Sequence, residues 1–378
     1  MDDQVIRVLV VDDSALMRNL VSKMIDSAPD MEVVGKAMNG VFALQKIERL
    51  DPDVIVLDLE MPQMNGLQFL EERKHLGLDT PVVILSSVAQ RGAKITMDAL
   101  ALGASDFITK PSGSVSHDIH EVRDTLIEMI RGYGGRYRRR HGRLTLERPA
   151  DASAIDTAEA TAERRTAAPA TSTPPNEPIV PEAKPGPTEL VAIGISTGGP
   201  NALRKVFAAI DADIDVPVVV VQHMPAGFTT EFARSLNRVC PLDVKEAEEG
   251  DILKPNRVLI APGNRHLTVE KRTLAGVVHI SDGDHRNGHR PSVDTLFESV
   301  AEHFCNHAIA VIMTGMGRDG AMELGSILKR GGITVGQDEH SSVVYGMPKV
   351  AFELGHVQKQ VALEHMAETI SRLAKEHR

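Results

Sequence analysis

Short, uninterrupted apolar runs recur along this 378-residue chain in two groups, and a polar segment separates the groups. The first group has amphipathic, helical patterns between its runs, which are IRVLVV, MEVVGKA, DVIVLD, PVVILSS and SDFIT. Strands that are apolar on both faces are typical of a parallel sheet covered by helices on both sides. We therefore predict an α/β domain with a doubly wound parallel sheet over residues 5–125.

The same alternation returns from residue 189 to residue 378. Its apolar runs are ELVAIGI, VPVVVVQ, RVLIAPG, AIAVIMT and GITVGQD. This length and pattern predict a second, larger α/β/α domain that is also built on a parallel sheet.

Residues 132–188 have a different composition. A basic, glycine-punctuated run over 131–143 precedes a stretch rich in Ala, Thr and Pro, in which large apolar residues are almost absent. Such a segment cannot bury enough apolar surface to offset the entropy of ordering it. We predict a flexible, protease-sensitive linker. Its arginines are interpreted as a solvated tract, with contact to an acidic partner or to RNA as the alternative.

Charge and cysteine content exclude several classes of protein. The net charge of −10 argues against a nucleic-acid-binding protein. Two cysteines, Cys240 and Cys305, cannot form a disulfide framework or a thiolate zinc site and are consistent with a reducing cytoplasm. The acidic N-terminus does not resemble a secretory signal, and the apolar runs are too short to span a bilayer. We expect a cytoplasmic protein without membrane insertion.

Charged and hydroxyl side chains follow the strands of the first domain. Asp12 and Asp13 follow the first strand, Asp58 ends the third, Ser86 lies at the end of the fourth, and Lys110 follows the fifth. In open α/β sheets, ligands bind at this edge. Three crowded carboxylates favour a hard cation such as Mg²⁺, and a carboxylate can act as a nucleophile toward a phosphoryl group.

These residues lie in the blocks VDDSALMR, LDLEMPQMNGL, ILSS and GASDFITKP, in which the first domain resembles a response-regulator receiver. The resemblance implies phosphorylation of Asp58 by a histidine kinase, with Mg²⁺ held by Asp12, Asp13 and Asp58. It also implies that Ser86 and Phe107 act as switch residues, together with Lys110, which can pair with the phosphoryl group.

Three chemically complementary residues follow strands of the second domain. Ser196 lies in GISTG, which fits the G-x-S-x-G pattern of a strand-to-helix turn, His223 follows VPVVVVQ, and Asp319 lies in TGMGRDG. A serine, a histidine and a carboxylate at one sheet edge can supply a nucleophile, a base and a group that orients the base. Their order along the chain differs from that of the α/β-hydrolases, so the fold is expected to be another one.

Two other interpretations compete for parts of this domain. Gly315-x-Gly317-x-x-Gly320 matches a dinucleotide-binding pattern, but Asp319 would place a carboxylate beside a pyrophosphate, and too few residues follow for both nucleotide-binding halves. The histidines of residues 279–294 could hold a metal, but their spacing favours a polar loop beside the active site.

The blocks GISTGGP, QHMP, IAPGN, HRPSVD and TGMGRDG, behind a receiver, resemble chemotaxis protein-glutamate methylesterases of the CheB type. The resemblance implies Ser196 as nucleophile, His223 as base and Asp319 as its partner, with oxyanion or substrate contacts near Thr197 and Met316. It implies no cofactor for ester hydrolysis.

The same resemblance implies chemoreceptors as the substrate, deamidation of receptor glutamines as a second activity, and a chemotaxis histidine kinase as the phosphodonor. In this family the receiver covers the active site, and the long linker of this chain predicts weaker docking. There are two rival hypotheses. The chain could be a response regulator with a DNA-binding output, or a methylesterase-like scaffold that has lost catalysis. A methyl-release assay with a chemoreceptor fragment separates these two hypotheses from the methylesterase.

Overall fold

The computed structural model describes residues 5–87, 90–110, 119–143 and 179–377. The first domain has a five-stranded parallel sheet with the strand order β2-β1-β3-β4-β5. Its strands are β1 (Ile6–Val11), β2 (Met31–Ala37), β3 (Val54–Asp58), β4 (Val82–Ser86) and β5 (Asp106–Thr109). Its helices are α1 (Ala15–Asp26), α2 (Gly40–Leu50), α3 (Gly66–His75), α4 (Gln90–Ala101) and α5 (Ile119–Arg140).

Local sequence explains where these helices begin. Ser14, Asn39 and Asn65 are the N-caps of α1, α2 and α3, and each side chain accepts a hydrogen bond from a backbone N–H of the first turn. The strands β3 and β4 are buried at every position, as expected for the middle of a sheet that helices cover on both faces.

The second domain has a seven-stranded parallel sheet with the order β14-β13-β12-β6-β7-β9-β8. Its strands are β6 (Leu190–Ile195), β7 (Val218–Gln222), β8 (Asp243–Glu246), β9 (Arg257–Ile260), β12 (Ala308–Ile312), β13 (Ile333–Gln337) and β14 (Lys359–Val361). Its helices are α6 (Gly199–Ala209), α7 (Phe228–Asn237), α8 (Val293–His303), α9 (Ala321–Lys329), α10 (Met347–Glu353) and α11 (Leu363–Glu376). The prediction of two parallel-sheet α/β domains is confirmed.

Four strands of this domain were not predicted. β8 and β14 are short edge strands of largely polar sequence, DVKE and KQV. β10 (His266–Lys271) and β11 (Gly276–Ser281) form an antiparallel hairpin outside the main sheet. Part of the histidine-rich segment predicted as a loop therefore belongs to a strand, since His279 pairs with Thr268 across the hairpin.

The predicted start of the linker at residue 132 is wrong. Helix α5 continues to Arg140, and its Tyr137 and Arg138 are buried against the receiver. Gly134 is required by close packing, because a Cβ at this position would lie 2.6 Å from Cγ2 of Ile6. Gly134 thus lets α5 approach the sheet and does not mark a flexible tether.

The predicted end of the linker also lies too far along the chain. Residues 179–188 contact the second domain: Glu182 donates its backbone N–H to Lys329, and Gly186 donates to Asn306. Residues 144–178, the remainder of the predicted linker, lie outside the described residues. No helix in the described part of the chain is long and apolar enough to cross a membrane.

The two domains are in direct contact. The ring of Phe107 stacks on that of Phe228 with centroids 4.9 Å apart and an interplanar angle of 9°. Helix α4 packs on α7, and one apolar cluster continues from the receiver into the second domain. Docking therefore buries apolar surface of both domains.

Candidate functional site

An acidic cluster lies at the carboxyl edge of the receiver sheet. Carboxylate oxygens of Asp12, Asp13 and Asp58 lie within 4.8 Å of one another. Nζ of Lys110 is 2.9 Å from Oδ2 of Asp12 and 2.9 Å from Oδ2 of Asp58. Hard oxygen ligands of this kind suit Mg²⁺, which would bind to these three aspartates and offset their mutual repulsion.

The electrostatics of this cluster favour a reactive carboxyl group. Burial, reinforced by the neighbouring Asp12, raises the pKa of Asp58 above its ordinary value, although Lys110 opposes the change. The two carboxylates hold the pKa of Lys110 above its ordinary value despite its partial burial. Lys110 is thus a cation placed between two carboxylates, where it can also pair with a phosphoryl group.

The two residues expected to act as a switch have different surroundings. Ser86 lines a small cavity together with Asp58 and Lys110, and its Oγ is 2.6 Å from Oγ1 of Thr96 in α4. Phe107 lies between the domains against Phe228. Sequence reasoning missed Thr96, which has no motif of its own.

Three neighbouring strands position the residues expected to form the second site. β6 lies between β12 and β7 in the sheet, and Ser196, His223 and Asp319 follow these strands. His223 donates its backbone N–H to the carbonyl of Ile195, which directly precedes Ser196. The arrangement brings the three side chains to one edge of the sheet, as predicted from their places after strands.

Asp319 is surrounded by hydrogen-bond donors. Nε2 of His223 lies 2.8 Å from Oδ2 of Asp319, Oγ of Ser292 lies 2.7 Å from Oδ1, and Nδ2 of Asn287 lies 2.8 Å from the same Oδ1. The backbone N–H of Val293, the first residue of α8, also donates to Oδ2. Burial alone would raise the pKa of Asp319, but these hydrogen bonds outweigh it and hold the pKa well below its ordinary value.

The contact with Asp319 determines which nitrogen of His223 can act as a base. Because the carboxylate accepts a hydrogen bond at Nε2, the proton is assigned to that nitrogen, and Nδ1 keeps its lone pair. Nδ1 is buried and has no hydrogen-bond partner within the described part of the chain. Hydrogen bonds between a nucleophile and its base are often long before the substrate binds.

A second histidine covers the ring of His223. The rings of His223 and His289 stack with centroids 3.9 Å apart. Burial, followed by the proximity of His223, lowers the pKa of His289 to about 4. His289 is therefore neutral near pH 7, and its ring holds the base in place without adding a charge.

Glycines create the space around Ser196. Gly198 has a φ of 81° and is the N-cap of α6, so the left-handed residue of the turn is a glycine and not the serine. A Cβ on Gly315 would lie 2.8 Å from Cβ of Ser196, which places the TGMG loop directly against the serine. Met316 is 38% exposed next to this contact, whereas Thr197 is buried.

The sequence analysis predicted Ser196, His223 and Asp319 but missed three of the groups that position them. Asn287, His289 and Ser292 come from the segment expected to be a polar loop near the active site. Ser292 had a detectable signal, because a serine directly before a helical pattern is a typical N-cap. Among the described residues, the acidic cluster of the receiver is the single group arranged to hold a metal, so the geometry gives no support to a metal at the histidines.

The glycine-rich loop TGMGRDG directs a carboxylate toward His223. Such a loop does not fit the alternative of a dinucleotide site, in which a pyrophosphate would occupy this position. The observed position of Asp319 thus agrees with the objection raised from the sequence, that this carboxylate would lie beside the pyrophosphate of a bound dinucleotide.

Comparison with known proteins gives a separate family match for each of the two domains that carry these sites. Residues 8–120 match the model of the response regulator receiver domain, and residues 191–370 match that of the CheB methylesterase. A protein-glutamate methylesterase/protein-glutamine glutaminase of Treponema denticola is 56% identical over 375 residues, which cover 98% of this chain and 99% of that protein. The chain belongs to the CheB methylesterase family.

A Treponema pallidum member of this family with the same description is 55% identical over 98% of this chain and 97% of its own length. The solved CheB methylesterase catalytic domain of Thermotoga maritima is 37% identical, covering 49% of this chain and 98% of its own, with a TM-score of 0.48. The two family models and the Treponema denticola relative identify an N-terminal receiver domain followed by an ester hydrolase domain.

The receiver contacts the hydrolase domain close to Ser196. Oδ2 of Asp106 accepts a hydrogen bond of 2.7 Å from the backbone N–H of Gly198, two residues after the serine. Nδ2 of Asn201 donates to the carbonyls of Ala104 and Ser105. A receiver carboxylate thus binds the N-terminus of the helix that follows the serine.

Proposed function

We propose that this protein is a phosphorylation-gated protein-glutamate methylesterase that acts on chemoreceptors in chemotaxis adaptation. The observation that carries the proposal is the 2.8 Å hydrogen bond between His223 Nε2 and Asp319, which leaves Nδ1 as a base on the strand edge that also presents Ser196. The related Treponema proteins are described as methylesterases and glutaminases, which supports the same chemistry.

In this proposal Ser196 is the nucleophile. Its Oγ attacks the carbonyl carbon of a glutamyl methyl ester while its proton passes to Nδ1 of His223, and Asp319 stabilises the imidazolium that results. The backbone N–H groups of Thr197 and Met316 stabilise the oxyanion. The His223 proton then passes to the departing methoxide, which leaves as methanol.

Water completes the reaction. His223 accepts a proton from a water molecule that attacks the acyl-enzyme, and the proton returns to Ser196 as the carboxylate product forms. A receptor glutamine would react by the same steps, with ammonia as the leaving group. No cofactor takes part in this scheme.

Control by the receiver rests on the acidic cluster. Mg²⁺ held by Asp12, Asp13 and Asp58 would neutralise charge during phosphoryl transfer from the chemotaxis histidine kinase to Asp58, and Lys110 would pair with the phosphoryl group. In this scheme a hydrogen bond from Ser86 to that group changes the 2.6 Å contact of its Oγ with Oγ1 of Thr96, which links the phosphorylation site to α4. Helix α4 packs on α7, which begins shortly after His223, so a shift of α4 would weaken the docking of the receiver.

The test is methyl release from a methylated chemoreceptor fragment by the full chain and by the Asp58→Asn variant. We expect a low basal rate for both proteins and a rise with Mg²⁺ and an acyl phosphate donor for the unmodified chain alone. Absence of methyl release in every condition would contradict the enzymatic proposal. Equal rates with and without the phosphodonor would contradict the gating proposal, and ammonia release from a glutamine-containing fragment tests deamidation separately.

A further inference from the structure

A cleft of about 920 Å³ between the two domains is lined by an excess of cationic side chains. The receiver and its helix α5 contribute arginines, and the hydrolase domain contributes an arginine and a lysine from α6. The cationic residues of the lining are Arg73, Arg136, Arg139, Arg140, Arg204 and Lys205. Asp79 is the one carboxylate among the described lining residues, in a chain whose net charge is −10.

Asp79 does not neutralise this surface, because Arg140 already binds it at 2.6 Å. Three of the other arginines donate hydrogen bonds to neutral oxygens instead: Arg73 to the carbonyl of Thr80, Arg136 to the carbonyl of Ser341, and Arg204 to Oγ of Ser235. Within the described ranges, none of these three guanidinium groups has a carboxylate within ion-pair distance.

The three arginines are also partly removed from water. Arg73 is 8% exposed, and burial lowers the pKa of Arg73, Arg136 and Arg204 below the ordinary value. Carboxylates attract Arg73 and Arg136 from beyond ion-pair distance. A partly buried cation that lacks an ion pair is still costly, and a bound anion would offset that cost. Guanidinium groups bind phosphate oxygens with two parallel hydrogen bonds, which makes phosphate the best-matched anion.

We propose that this cleft, lined by Arg73, Arg136 and Arg204, binds a small molecule carrying two or more phosphate groups. The volume suits a ligand of nucleotide size, since small-molecule sites span roughly 300–1,000 Å³. Several cations within one cleft favour a multivalent anion over a single phosphate. The site lies apart from the acidic cluster, where Asp58 is the group expected to receive a phosphoryl group.

The position of the cleft gives the ligand a regulatory consequence, which rests on the proposed function. Arg136 belongs to the receiver half and Arg204 to the hydrolase half, so an anion held by both stabilises the docked arrangement. A ligand that binds one arrangement better shifts the equilibrium toward it. The bound anion therefore lowers basal methyl release and opposes activation by phosphorylation.

The binding experiment uses the full chain with Asp58→Asn, without Mg²⁺, so that the phosphorylation site does not contribute. Inorganic tripolyphosphate and ATP are titrated calorimetrically into this protein and into the same protein with Arg136→Gln and Arg204→Gln. The matched control is Arg234→Gln, which removes a cation from the exposed face of α7.

We expect both ligands to bind, and the double substitution to weaken binding about a hundredfold, at about tenfold for each lost charged hydrogen-bond donor. The control should bind as the parent does, and circular dichroism should show the same fold in all variants. Tripolyphosphate binding as tight as ATP binding would identify phosphate as the recognised group, whereas tighter ATP binding would add the nucleoside to it.

No binding of either ligand, or equal binding by the double variant and the control, would overturn the proposal. Tighter binding of a hexaglutamate peptide than of tripolyphosphate would overturn the ligand class and indicate an acidic peptide. Calorimetry does not depend on catalysis. Absence of methyl release would therefore refute the proposed methylesterase function, whereas the calorimetric titrations alone would decide whether the cleft binds phosphate groups.

Discussion

Asp58 and Asp319 both lie at the carboxyl edge of a parallel sheet, yet their surroundings differ. Asp58 contacts Lys110 and accepts a 3.3 Å hydrogen bond from the backbone of Glu60, and burial raises its pKa. Asp319 accepts hydrogen bonds from two side chains and from His223 as well as from the start of α8, and its pKa is held well below the ordinary range.

The difference separates a carboxylate suited to react from one suited to orient. A carboxylate whose oxygens are committed to many donors is a poor nucleophile, but it fixes the tautomer and the orientation of a histidine. Asp58, which lies beside two other aspartates and a lysine and accepts few hydrogen bonds, can bind a metal ion and accept a phosphoryl group.

The largest effect should come from removing the nucleophile. We expect Ser196→Ala to lower methyl release by roughly 10⁴- to 10⁶-fold and His223→Ala by a similar factor, because such residues act as a unit. Phosphorylation of Asp58 should be unchanged in both variants, as measured by incorporation of labelled phosphate. Methyl release near the unmodified rate in the Ser196 variant would refute the proposed nucleophile.

The orienting role of Asp319 predicts a smaller loss for Asp319→Asn, about 10²- to 10⁴-fold in methyl release. An amide has one acceptor oxygen in place of two, so its NH₂ group would face donors that now bind the carboxylate. Asp243→Asn, on the edge strand β8, is the matched control and should retain the full rate, because its exposed side chain pairs only with Arg257 within the described residues. Methyl release at the unmodified rate by Asp319→Asn would contradict the orienting role that distinguishes Asp319 from Asp58.

A third carboxylate, Asp106, tests the contact between the domains. Burial raises its pKa from 3.8 to about 6, although it accepts hydrogen bonds from the backbone N–H groups of Gly198 and Phe107 and from Tyr133. Folding therefore favours the protonated form. The corresponding stability is fully present below about pH 4 and is lost as the pH rises through about 6.

Asparagine has the same shape without the ionisation. The amide has one acceptor oxygen for the donors that now bind both carboxylate oxygens, which costs the variant a similar amount at every pH. On top of that constant loss, we expect the stability of Asp106→Asn relative to the unmodified chain to rise between pH 4 and pH 7, by up to about 3 kcal/mol for a shift of about two pKa units. The measurement is the difference in the unfolding midpoint between the two proteins at each pH, because other titrating groups cancel in the difference. A difference that stays constant with pH would show that this carboxyl group does not titrate as proposed.

Much of this protein follows from local sequence. Uninterrupted apolar runs predicted the central strands of both sheets, and the polar residues after them predicted Asp12, Asp13, Asp58, Ser196, His223 and Asp319 at the sheet edges. This inference works because parallel strands end on the same side of a sheet. Short polar edge strands such as β8 and β14 escaped it, because they lack a continuous apolar pattern.

The tertiary structure alone decided what the charged segments contact. The run over 131–143 has the composition of a linker, yet Arg138 is buried near Asp53, Arg143 pairs with Asp51, and Gly134 lets the helix pack on Ile6. Likewise, the donors that surround Asp319 and the contact of Asp106 with Gly198 join residues far apart in the chain. Hydrophobic periodicity is a local property that a sequence displays directly. The partner of a charge depends on which distant segments the fold brings within a few ångströms of it, and that is determined only when the sheets and helices have packed.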